Sequence, residues 1–296
     1  MAKDLNISKQ INKLTFKQRL NSYIRNPLSL FFIIIITLAT AITLFVLIFI
    51  VGYILIRGIP YFNPSLFAFE YNSENVSMLP SIITTLIMTA LSLLIAVPLG
   101  IFTAIYLVEY AKKGNKAINL IRITTETLSG IPSIVYGLFG LLFFVTALGW
   151  GFSIIAGAFT LSIMILPLII RTTEEALKSV PDTYREASFG LGAGKLRTVF
   201  VVVLPAAVPG ILAGIILSTG RIVGETAALI YTAGTVAKIP SDLFSSGRTL
   251  AVHMYALSSE GLHVNQSYAT AVILLLVVLL INSMSSYIAK KLTKGQ

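Results

Sequence analysis

Arg221 and Glu225 stand four residues apart in GRIVGET, the stretch from Gly220 to Thr226, with PGILAGIILST before it and AALIYTAG after it. A guanidinium offers a planar fork of donors that fits phosphate oxygens or a carboxylate, and its charge is not lost at physiological pH. On a helix, the four-residue spacing puts Glu225 on Arg221's face and within its reach. Two chemistries follow. The pair is either a neutral internal tie between helices, or a carboxylate that holds the guanidinium until an anion displaces it. A transport contact of the second kind must be weak, because a tight site traps its ion. Gly224 would allow close approach to the backbone, and Thr226 would add a hydroxyl ligand. If the helix carrying them begins near Val208, Arg221 lies about 20 Å along it, at mid-depth in a bilayer core of about 30 Å. A lipid-facing arginine there costs roughly 2.5–3.5 kcal/mol, so the residue is expected to face protein or water.

A second constellation is TYREASFGLGAGKLRTVFVVVLPAAVPG, residues 183–210. It is long for a connection between spans and is built from small side chains (Ala187, Ser188, Gly192) that let another surface approach the backbone. Glu186 is helix-compatible, and Arg185, Lys195 and Arg197 are placed to orient a partner at the rim. Leu204-Pro205 closes the segment, with Pro205 and Pro209 expected to stop one helix and start the next. The residues alone leave an interfacial elbow without a partner equally open.

Other chemistry is thin. The chain has no cysteine, which removes disulfides, thiolate metal sites and a cysteine nucleophile. His253 and His263 lack metal-ligand spacing, so no metal site is expected. No Gly-x-x-x-x-Gly-Lys-[Ser/Thr] loop occurs, so ATP and Mg, if used, belong to another polypeptide and no cofactor is expected on this chain. Arg122 and Glu126 read as interfacial anchors. Arg171, Glu174 and Glu175 flank the end of the fourth span and read as a solvated helix face; only a family resemblance would equally make them part of a docking region.

The elements that must hold these residues are membrane spans. Of 296 residues 56% are hydrophobic and 11% charged, with a mean hydropathy of +0.88, more apolar surface than a soluble domain can bury. Six transmembrane helices are predicted over 28–56, 78–108, 126–148, 154–170, 208 to about 232, and 269–289. The net charge of +10 is not a nucleic-acid signal. Of 22 Lys and Arg, 18 fall before Pro27, between Lys112 and Arg122, between Arg171 and Arg197, or after Ala289. These alternate segments lie on one side, which by the positive-inside rule is the cytoplasm, with both termini inside. Residues 1–27 read as a basic segment and not a cleavable signal peptide; Ile7, Ile11 and Leu14 fall at helical spacing for a helix lying on the inner leaflet, and a solvated tail fits equally. Gly130, Pro132, Gly137 and Gly140 crowd the third span, for close packing or for a broken helix along a pathway.

The 183–210 segment resembles the cytoplasmic loop of permeases of binding-protein-dependent ABC importers. Glu186, Ala187, Ser188, Gly192, Val202, Leu204 and Pro205 match the family's Glu-Ala-Ala…Gly…Ile-x-Leu-Pro pattern at its spacings, with Ser188 in place of Ala and Val202 in place of Ile. EYAKKG, GIPSIVYGLFGL, TLSIMILPLIIRTTEEALKSVP, GRIVGETAAL and TLAVHMYALSSEG are similar to phosphate-system permeases of the PstA type, over about Met78 to Ala289. The GRxxGET and IPSIVYG elements are shared with the sister PstC type.

The resemblance implies a type I importer permease (MetI-like) fold. It divides the chain into a first helix and external loop over 28–77, a permease domain over 78–289 with a coupling loop at about 171–207, and a tail over 290–296. It also implies a PstC-like permease partner, two copies of an ABC ATPase docked on a short helix near Tyr184–Leu196, and an external phosphate-binding protein, all in the bacterial plasma (inner) membrane. Arg221 and Glu225 would lie on the path of inorganic phosphate. A sister subunit, a permease for another oxyanion and a phosphate-sensing signalling subunit are the alternatives; a passive channel would need no docking loop.

Overall fold

The computed structural model describes residues 27–112 and 114–293. The basic segment before Pro27, with Ile7, Ile11 and Leu14, lies outside the described residues, as do the last three residues of the tail. Every regular element among the described residues is helical. Contacts divide the chain into two units at Ile56/Arg57. The first unit holds most of α1 (Pro27–Gly58), whose only charge is Arg57 in the last turn. Its 32 residues exceed the about 20 needed to cross a hydrocarbon core.

The second unit contains α2 (Leu79–Ile105), α3 (Lys116–Ser129), α4 (Ser133–Gly140), α5 (Ile154–Ser179), α6 (Asp182–Gly190), α7 (Leu204–Val223), α8 (Ala227–Ile230), α9 (Leu250–Glu260) and α10 (Val264–Thr293). With α1, four of these are long and apolar enough to span a membrane: α2, α5, α7 with its lead-in from Lys195, and α10. The third predicted span, 126–148, is different. α3 and α4 (the latter extended by a π-helical stretch to Ala147) meet at a bend of 103° and make one broken crossing or a re-entrant loop. The chain is a multi-pass membrane protein.

α5 is the central helix, packed chiefly on α2 and α7. Leu161, Met164, Ile165 and Ile169 of α5 join Met88 and Ala96 of α2 and Ile222 of α7 in one buried cluster. Among apolar surroundings helices gain little from hydrophobic burial against each other, so close approach and polar ties hold them. A β-carbon at Gly100 would meet Ile169 at 2.6 Å, and one at Gly214 would clash with Thr172. The Ser162 hydroxyl donates to the Ser92 carbonyl at 3.1 Å, and the Ser92 hydroxyl to the Ala158 carbonyl at 3.3 Å. Toward the cytoplasmic ends, Leu107, Leu177, Val199 and Val203 form a second cluster. At the other end Leu66, Val76, Met78, Leu250 and Leu257 form a third, which seats α9.

Several predicted boundaries move. α5 does not stop at Ile170 but runs to Ser179, so Arg171–Lys178 are helix and not loop. The fifth span starts at Lys195, not Val208, and ends at Val223, not near Thr232. Neither Pro205 nor Pro209 breaks it: Pro205 falls in the first turn of α7, behind a π-helical stretch (Thr198–Val203), and Pro209 lies within the helix. A proline removes one N–H and crowds the preceding turn, which a locally widened helix accommodates. The loop proper is therefore 180–194, shorter than the expected 171–207.

Candidate functional site

Two helices are interrupted side by side. In the third span Pro132 cannot give its N–H to Leu128, the helical acceptor four residues back. The Leu128 carbonyl instead receives the Ile131 N–H at 3.1 Å and the Tyr136 hydroxyl at 2.7 Å, which bridges the bend. In the fifth span α7 ends at Val223, Gly224 is the exposed capping residue, and α8 resumes at Ala227. α8 lies against α4 so closely that a β-carbon at Gly137 would come 2.8 Å from the Ala228 α-carbon, while one at Gly140 would clash with Thr160. In the glycine-rich third span Gly137 and Gly140 allow close contact, and the helix is broken at 130–132. Irregular backbone at membrane depth is tolerated where protein or a water-filled cavity surrounds it.

This interruption separates the two charges that the spacing puts together. Glu225 lies beyond the end of α7, so it does not share a helical face with Arg221, and no ion pair joins them. Its side chain is buried and turned the other way. Oε1 accepts the Ala228 N–H at 3.1 Å and caps α8, while its own N–H donates to the Ile222 carbonyl. Thr226, half-buried at the N-cap position of α8, reaches only the Gly224 carbonyl, at 3.5 Å.

Arg221 is half-buried in the last turn of α7, where the helix dipole favours a cation. It makes no hydrogen bond or ion pair among the described residues. Its side chain lines an open, mainly apolar cleft of about 820 Å³ with Leu168, Ile216, Leu217, Gly220 and Asn282. Asn282, from α10, brings a second unsatisfied polar atom, its buried Oδ1. Nothing in the sequence pattern singles Asn282 out: one amide in an apolar span is legible only once α10 is seen beside α7.

At the cytoplasmic end, α6 carries the predicted loop residues. The short helix is Asp182–Gly190, not Tyr184–Leu196, because Gly192 adopts φ +82°, the left-handed conformation that ends a helix. Glu186 and Ala187 are exposed, as are four large apolar side chains: Tyr184, Phe189, Leu191 (90% exposed) and Leu196 (66%). Ser188, which departs from the family's alanine, shares a hydrogen bond of 2.8 Å with the Thr198 hydroxyl and ties α6 to the lead-in of α7. Leu204 and Pro205 are half-buried where α7 begins.

Arg185, expected at the rim, is turned inward. Its guanidinium donates to Glu109 Oε1 at 2.7 Å, Asp182 Oδ1 at 3.1 Å, the Leu177 carbonyl at 3.0 Å and the Val180 carbonyl at 2.9 Å. It thereby holds α6 to the last turn of α5 and to the π-helical end of α2, where Glu109 lies. Lys195 is also engaged within the chain, 5.0 Å above the Tyr110 ring.

The profile of the family described as "Binding-protein-dependent transport system inner membrane component" matches residues 96–294, two thirds of the chain. The chain belongs to this family. It is 42% identical over 185 residues to the "Probable ABC transporter permease protein YqgI" of Bacillus subtilis, covering 58% of this chain and 63% of that one. It is 37% identical over 201 residues to the "Phosphate transport system permease protein PstA 1" of Mycobacterium tuberculosis, covering 67% and 66%. The matched segments thus span just under two thirds of the length of these relatives. Among solved structures, a chain of a bacterial alginate ABC transporter matches with a TM-score of 0.67 at 16% identity, covering 89% of this chain and 96% of that one. A chain of the inward-facing MetNI methionine transporter matches with a TM-score of 0.56 at 21% identity, covering 72% and 93%. At those identities the likeness establishes the fold.

The remaining charged residues of this inner membrane component divide cleanly. Arg171 and Glu175 form an exposed pair one turn apart at 3.1 Å, the solvated helix face that their pattern allows. Glu174 faces inward and receives both Arg122 and Lys178 at 2.7 Å, so Arg122 is tied to α5 as well as placed at the interface; Glu126 is exposed. Outside the spans His253 of α9 is fully buried against Tyr71. Burial, and then the charge of Arg248, lower its imidazole to about 3 against the opposing effect of the Val76 backbone, so it is neutral.

Proposed function

We propose that the chain is the permease subunit of an ATP-driven importer that moves inorganic phosphate into the cell. The observation that carries this reading is Arg221: a cation with no hydrogen-bond or ion-pair partner among the described residues, in the last turn before the fifth span is interrupted and open to a cleft. A permanently charged planar donor held without a carboxylate suits a passing oxyanion better than a neutral pair does. The names of the relatives, phosphate transport permeases among them, favour phosphate over other oxyanions. The exposed apolar set on α6 and just beyond it (Tyr184, Phe189, Leu191, Leu196), with Glu186, Ala187 and Gly192 leaving the backbone open, supports docking of an ATPase there. Ser188, Leu204 and Pro205 connect that surface to the fifth span. ATP hydrolysis then falls to the partner, in a complex with a PstC-like sister permease, two ATPase copies and an external phosphate-binding protein.

The test is ATP-driven uptake into proteoliposomes that hold the purified complex and its binding protein, with radiolabelled phosphate and sulfate in parallel. Phosphate accumulation that needs both ATP and the binding protein, with sulfate excluded, is the expected result. Uptake without ATP, or equal uptake of both anions, contradicts it. Replacing Leu191 and Leu196 by Glu should detach the ATPase on co-purification; retained ATPase would remove α6 as its seat.

A further inference from the structure

A recess beside the basic segment at 112–122 is distinct from the Arg221 cleft. It encloses about 740 Å³ between the end of α2 and the start of α3, and its cations are Lys112, Lys116, Arg122 and Lys178. No carboxylate lines it among the described residues. Glu174, in the adjoining cleft, engages Arg122 and Lys178. Lys112 and Lys116 are exposed and make no ion pair among the described residues, and the Arg122 Nε is buried without an acceptor. The rest of the wall is mixed, with Leu107, Val108 and Ile118 as its apolar part and the amides Asn115 and Asn119 beside them.

Three features select the ligand. An excess of lysine charge calls for an anion, and the orphaned guanidinium N–H calls for an oxygen acceptor. Apolar side chains beside the cations suit a group that carries hydrocarbon with it. The recess also lies where a span emerges on the side that the basic segments assign to the cytoplasm, the leaflet whose anionic headgroups attract juxtamembrane lysines. We propose that this recess binds the phosphate group of an anionic lipid, with Lys112 and Lys116 as its charge contacts and Leu107 and Val108 against its glycerol and upper chains. Free phosphate shares the oxygen chemistry but leaves the apolar part of the wall unused. The site is independent of which solute the chain carries.

The test uses the purified full complex, titrated in nanodiscs of neutral phosphatidylcholine doped with phosphatidylglycerol, with bound lipid counted by native mass spectrometry. The wild type should retain phosphatidylglycerol over phosphatidylcholine. Lys112→Gln should weaken that retention roughly fivefold and the double variant with Lys116→Gln roughly 25-fold. Lys112→Arg/Lys116→Arg should retain the lipid, which separates loss of charge from loss of fold. Millimolar inorganic phosphate should not displace the lipid. Displacement by phosphate, with no preference for the anionic lipid, would make free phosphate the occupant and overturn the lipid assignment. Equal retention by the Gln variants and the wild type would overturn the site itself.

Discussion

Two arginines of this chain sit in opposite circumstances. Arg185, at the cytoplasmic loop, is surrounded by two carboxylates and two carbonyls at 2.7–3.1 Å. Arg221, in the fifth span, has none of these and faces a cleft. A saturated guanidinium is a joint: its geometry is set by the groups that hold it, and moving one element moves the others. An unsatisfied guanidinium is a receptor, because its donors are spent only when something arrives. The chain thus holds one arginine saturated by its own acceptors and leaves another open to a cleft. The difference lies in whether the local backbone delivers acceptors. At Arg185 the end of α5 presents the Leu177 carbonyl, which otherwise receives only the Val180 N–H at 3.4 Å, and the Val180 carbonyl just beyond it. At Arg221 the helix stops just before the residue that would have neutralised it.

The comparison predicts different failures. Removing Arg185 leaves the Glu109 carboxylate, 8% exposed, without its partner, a change that typically costs about 3–5 kcal/mol. Arg185→Ala should therefore lower the thermal midpoint of the purified complex strongly, and Arg185→Ala combined with Glu109→Ala should recover much of the loss. Purely additive losses would mean that the two side chains do not act as a joint. Arg221→Gln should instead leave the midpoint within about 0.5 kcal/mol of wild type, since no internal contact is lost. Phosphate uptake should fall about 10- to 150-fold, the equivalent of a charge-assisted hydrogen bond of about 1.5–3 kcal/mol.

Acid provides the next contrast. His253 is neutral when folded, with its imidazole lowered to about 3, and the unfolded chain takes up a proton near 6.5. Its contribution is present above pH 6.5 and is lost as pH falls toward 3, at about 1.4 kcal/mol per unit. Between pH 6.5 and 5 the complex should lose about 2 kcal/mol from this group. His253→Gln should flatten that part of the stability profile. An unchanged slope would mean that another group sets it.

Smaller effects lie at the edges of the two regions. Glu225→Ala removes the cap on α8 and should cost about 1 kcal/mol. Arg171→Ala breaks a pair exposed on both sides and should be indistinguishable from zero.

The long apolar runs made the spans legible in the sequence, and the basic segments oriented them. The loop was legible too, through Glu186, Gly192 and Leu204-Pro205 at fixed spacing. Helix ends were harder. Arg171–Lys178 look like a loop because they are charged, yet ion pairs between turns and a buried Glu174 continue α5 through them. Pro205 and Pro209 look like breaks, yet a π-helical stretch leads into Pro205 and α7 continues through Pro209. The four-residue spacing of Arg221 and Glu225 implies a pair only if the helix persists, and Gly224 is where it ends. The inward turn of Arg185 depends on Glu109, 76 positions away, and no local pattern encodes that contact.

The central claim is that Arg221 meets the anion and Glu225 does not. The most direct measurement is ATP-driven phosphate uptake by proteoliposomes carrying wild type, Arg221→Gln or Glu225→Gln, with ATPase co-purification as the control for assembly. Gln at 225 keeps an acceptor oxygen for the Ala228 N–H, so that variant should retain most uptake while Arg221→Gln loses it in an intact complex. Equal loss in both variants would restore the pair as the working unit, and full uptake by Arg221→Gln would put the anion path elsewhere.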